Sequence, residues 1–76
     1  MTTAEMIWML IRSAKNAGVT DENIVIILRP MTLVILKKEN CADLTENSGA
    51  YRFGGYEVEI GNYGPKVRTK SGIKSN

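Results

Sequence analysis

The run "IVIIL" at residues 24–28 constrains this chain more than any other segment. Five consecutive apolar residues, mostly β-branched, leave no polar face. The segment therefore reads as a strand covered on both sides. A chain of 76 residues has little material for such cover. At this size only about 60% of the unfolded surface is buried, so one modest core is the limit, and self-association is a common way to enlarge it. Arg29-Pro30 ends the run, because proline cannot donate to a ladder.

The best-defined element precedes it. "TTAEMIWMLIRSAKNAG" opens with Thr2-x-x-Glu5, the spacing of a capping box, and closes at Gly18, suited to a left-handed cap. At roughly 100° per residue, Met6, Ile7, Leu10, Ile11, Ala14 and Ala17 share a face. Glu5, Arg12, Lys15 and Asn16 lie opposite. Trp8 falls on that polar side, near Arg12 and Lys15. Either another part of the domain folds over the indole, with Arg12 stacked on the ring, or it anchors a partner. As a free anchor, it would be removable without cost to the fold.

"PMTLVILKKEN" admits two readings. As a helix, Pro30 takes the first helical position and Lys37 and Lys38 suit the last turn. As a strand, 32–38 forms a hairpin with 24–28, which Val34 and Ile35 favour. The strand is the preferred reading. "CADLTENSG" then reads as a loop or a single helical turn.

Residues 50–70 read as a meander. Gly54-Gly55 is a two-residue hairpin signal. Closing there sets Phe53 opposite Tyr56, Arg52 opposite Glu57 and Tyr51 opposite Val58. Closing again at "GNYG" (61–64) sets Glu59 opposite Lys66, Val58 opposite Val67 and Glu57 opposite Arg68. One face then carries Tyr51, Phe53, Tyr56, Val58, Ile60 and Val67; the other carries Arg52, Glu57, Glu59, Lys66 and Arg68. The expected fold is α+β: an N-terminal amphipathic helix on a mainly antiparallel sheet of four or five strands, with 31–39 as a second helix in the alternative reading. Residues 1–70 are expected to form one domain and 71–76 a flexible tail.

Charge and residue usage narrow the function. Net charge is +2, with −1 over residues 1–50 and +3 over residues 51–76. There is no histidine, so the usual neutral-pH general base is missing. Cys41 is the sole cysteine, which excludes an internal disulfide, and Asp43 beside it disfavours a thiolate. No catalytic, metal or cofactor site is expected, and the glycines lack a phosphate-loop setting. No apolar stretch approaches the roughly 20 residues of a membrane span. A cytoplasmic protein without a membrane partner is expected.

What remains is binding. The preferred reading is a non-enzymatic protein-interaction module, self-associating, using Trp8, Arg12 and Lys15. The alternative is a nucleic-acid binder using Tyr63, Lys66, Arg68 and Lys70, with Tyr63 stacking on a base. The short helix, the β-branched run and the late "YRFGGYEVEI" together resemble small uncharacterised proteins of tailed phages and prophages, over about half the chain. That resemblance implies an accessory protein in the host cytoplasm that binds or inhibits a host or phage protein. It implies no site residues, and it favours the helical reading of 31–39.

Overall fold

In the computed structural model, which describes residues 2–70, the elements are α1 (Thr3–Asn16), a 3-10 turn (Asp21–Asn23), β1 (Ile24–Leu28), α2 (Pro30–Lys38), β2 (Leu44–Asn47), β3 (Ala50–Phe53), β4 (Tyr56–Ile60) and β5 (Lys66–Thr69). The strands form one sheet in the order β2-β3-β4-β1-β5. Only β1 and β4 run parallel; the other neighbours are antiparallel. The fold is α+β with five strands, as the residue pattern implies. Residues 71–76, the expected tail, lie outside the described residues.

Both ends of α1 follow the sequence signals. The Thr2 hydroxyl accepts from the Glu5 N–H at 3.1 Å, and the Glu5 carboxylate accepts from the Thr2 N–H at 2.8 Å. Together these bonds satisfy donors that a helix start leaves orphaned. At the other end Gly18 takes φ +98°, and the Val19 N–H returns to the Ala14 carbonyl.

Residues 30–38 are helical, against the preferred strand reading. Pro30 starts α2, and Asn40, at φ 52°, ends it as Gly18 ends α1: the Cys41 N–H donates to the Leu36 carbonyl. The helix buries Leu36. Strand propensity at Val34 and Ile35 loses to these end signals, since propensity is a weak prior. Residues 44–47, expected as loop or helical turn, are strand β2. Ser48 and Gly49 both take positive φ, so they form a two-residue turn that sets Asn47 opposite Ala50.

The β3–β4 hairpin has the expected register, with Phe53 opposite Tyr56 and Arg52 opposite Glu57. The second expected hairpin does not form. β1 inserts between β4 and β5, and it pairs with neither α2 nor a strand from 32–38. The anticipated alignment survives at one remove. Ile26 stands between Val58 and Val67, Val25 between Glu57 and Arg68, and Ile27 between Glu59 and Lys66. The two faces are therefore as expected, while the neighbours are not.

β1 is buried throughout, as a doubly covered strand must be. Ile24, Ile26 and Leu28 pack with Ile7 and Ile11 of α1, Leu36 of α2 and Phe53 of β3. Val25 and Ile27 point to the other face, which carries no helix, yet each is only 1% exposed. Gly61 lies against the Ile27 side chain, and two ion pairs span the strand on this face. Arg68 reaches Glu59 at 2.5 Å and Lys70 reaches Glu57 at 3.0 Å, both across β1. The aliphatic stems of such pairs shield apolar surface while the heads stay wet.

Candidate functional site

α1 presents Trp8, Arg12 and Lys15 along the flank that faces the β3–β4 hairpin. A concavity of 320 Å³ is lined by Trp8, Ile11, Arg12, Lys15, Asn16 and Tyr56. A second, of 340 Å³, is lined by Glu5, Trp8, Met9 and Arg12. The two share Trp8 and Arg12, so they form one furrow along the helix. The three residues singled out from sequence are thus brought together.

Trp8 is not a free anchor. Its ring packs at 5.4 Å on Phe53 and edge-on at 6.3 Å to Tyr56. The indole N–H donates to the Asp43 carboxylate at 3.0 Å. Gly54, in the β3–β4 turn, lies so close that a β-carbon there would collide with the indole. Of the two readings of Trp8, the fold itself covers most of the ring and leaves an edge in the furrow.

The charges differ in how they are held. Asp21 accepts from the Tyr56 hydroxyl at 3.0 Å and pairs with Lys15 at 3.4 Å. The hydrogen bond from Lys15 to Asp21, and then the charge of Asp21, raise the Lys15 ammonium above its ordinary pKa. Arg12 is exposed and has no carboxylate within ion-pair distance among the described residues. It is the unspent cation of the furrow. Sequence reasoning missed Asp43 as the partner of Trp8, and Glu5 and Tyr56 as members of the furrow. Tyr56 carries a readable signal: a tyrosine on a core face at a hairpin end needs a partner for its hydroxyl.

The alternative set divides. Lys66 lies 5.7 Å from the ring centroid of Tyr63, which is exposed. Arg68 and Lys70 are tied to Glu59 and Glu57. From sequence, Arg68 was expected beside Glu57 and Lys66 beside Glu59. The intervening strand doubles the separation to roughly 9.6 Å, so the long side chains pair diagonally instead. Lys70, one of the cations of that set, thus has its partner in Glu57.

The chain matches no protein-family model, no curated protein and no solved structure.

Proposed function

We propose that the chain is a non-enzymatic binding protein that captures another protein through the α1 furrow. The observation that carries this is Arg12, a guanidinium without a carboxylate in ion-pair distance among the described residues, which lines one recess with Glu5, Trp8 and Met9. Tryptophan, tyrosine and arginine in a partly desolvated recess are the residue types that dominate binding energy at protein interfaces. Methionine adds adaptable apolar contact. The partner segment is acidic and apolar, so that a carboxylate meets Arg12 and a side chain fills the recess beside Tyr56. A second copy of the chain is one such partner. In keeping with the phage resemblance, the other is a host or phage protein of the cytoplasm.

The nucleic-acid reading retains only Tyr63 and Lys66 as available groups. Arg68 and Lys70 would first have to leave Glu59 and Glu57.

Arg12→Glu tests the proposal. Arg12 is exposed and outside the core cluster, so the substitution leaves thermal stability near that of the parent. Capture of partners by the immobilised chain, and any concentration-dependent increase in mass, should fall at least tenfold, the effect of losing roughly 1.4 kcal/mol. Equal capture and equal mass in the two proteins would overturn the assignment. Trp8→Ala is a poor probe here, because it also removes internal packing worth about 3 kcal/mol.

A further inference from the structure

The furrow does not stop at Tyr56. On the far side of that ring is a third concavity, of 420 Å³, lined by Asp21, Glu22, Arg52, Gly54, Gly55 and Tyr56. The three form one track: the Met9 recess shares Trp8 and Arg12 with the central recess, which shares Tyr56 with the glycine recess. Charges follow this order. Glu5 lines the Met9 recess, Arg12 the Met9 and central recesses, Lys15 the central one, and Asp21, Glu22 and Arg52 the glycine one. Most of them are engaged at home. Glu5 closes the capping box with Thr2, Lys15 pairs with Asp21, and Arg52 donates to the Gly55 carbonyl at 2.9 Å. Two are not. Arg12 and Glu22 are both exposed, and neither has an opposite charge within ion-pair distance among the described residues.

This arrangement selects an occupant. A polyanion drawn to Arg12 is repelled by Asp21 and Glu22, and a polycation meets the reverse. The track itself carries three cations and three acids, so it does not repel its own copy. A two-fold interface sets one patch against itself, so that each residue meets its counterpart's partner and every contact occurs twice. An axis through the central recess exchanges the Met9 recess with the glycine recess. It therefore brings the free cation of one copy to the free acid of the other. Resting on the furrow as the binding surface, we propose that its occupant is a second copy of this chain, with Arg12 of each copy on Glu22 of the other. The shapes agree with the charges. Met9 is 54% exposed, and the recess it is brought to is floored by glycines, with open space where a Gly55 side chain would stand. Met9, Trp8 and Tyr56 supply the apolar contact, and the two ion pairs fix its register.

Sedimentation equilibrium of the full chain tests this. With rising concentration the parent should approach twice the mass of one chain. Arg12→Glu and Glu22→Arg should each weaken the dimer at least about tenfold, because like charges then meet at both contacts. Both positions are exposed and outside the core cluster, so circular dichroism should show the parent's fold in each variant. Mixed in equal amounts, the two variants should associate as the parent does, since every charged contact across the mixed pair then joins opposite signs. The proposal fails if the parent keeps the mass of one chain, if Glu22→Arg dimerises like the parent, or if the mixture stays as weak as its components. Failure of the furrow itself reads differently. A monomeric parent that loses captured proteins on Arg12→Glu overturns the second copy and keeps the furrow, whereas an Arg12→Glu variant with unchanged mass and unchanged capture overturns both.

Discussion

Glu57 links the sheet's uncovered face to pH. Lys70 holds its carboxyl below the ordinary glutamate range, first through a hydrogen bond and then through charge, with Arg52 and Arg68 adding smaller contributions. A carboxylate depressed in the folded state stabilises the fold above the unfolded-state pKa of about 4.3, and that stabilisation is lost as pH falls through the lower folded value. Thermal stability should therefore drop on acidification from about pH 4.5 downward. Glu57→Gln should flatten that acid limb and leave neutral-pH melting close to the parent's, since the pair is largely exposed. An unaltered acid limb in the variant would show that the pair is not formed in solution. The same residue marks the reach of sequence reading. Opposite charges were legible on one face because the period of a strand is two. Which lysine met which glutamate was not, because that depends on β1, which comes far earlier in the chain and inserts between them. Asp43 was illegible for a similar reason: its partner Trp8 lies 35 positions away.

Elements closed by local bonds were the readable ones. The Thr2/Glu5 box, Gly18 and the Gly54-Gly55 turn each act within a few residues, and all three are where the sequence puts them. α2 turned on Asn40, a left-handed cap that is easily passed over because glycine is the commoner choice. β2 turned on Ser48-Gly49, with no hydrophobic alternation before it to attract notice. That turn gives a test of its own. Ser48 sits at φ 54° and Gly49 at φ 83°, the conformation for which Asn-Gly is favoured. Ser48→Asn should raise the urea midpoint slightly, and Gly49→Ala should cost about 1 kcal/mol. The pair of signs is diagnostic: if both variants lower the midpoint by similar amounts, the turn is of another kind.

Across the whole molecule, β1 is the member on which everything else rests. It has a strand on each side and cover on each face, and its five residues are at most 1% exposed. In native-state hydrogen exchange its amides should open only with global unfolding, while those of β2, an exposed edge strand, should exchange faster by orders of magnitude. Comparable protection in the two strands would place the stable centre elsewhere. The position of β1 also has a consequence for the order of events in the cell. A polypeptide is made from its N-terminus, so residues 24–28 emerge before 56–60 and 66–69, the two segments that flank them. Until 56–60 arrive, the most apolar stretch of the chain has two open edges, and until 66–69 arrive it keeps one. Ribosome-bound intermediates ending before residue 66 carry a hydrophobic strand with an unpaired edge, the kind of surface that nascent-chain chaperones hold and that aggregation exploits. The last strand to be made is the one that closes the sheet.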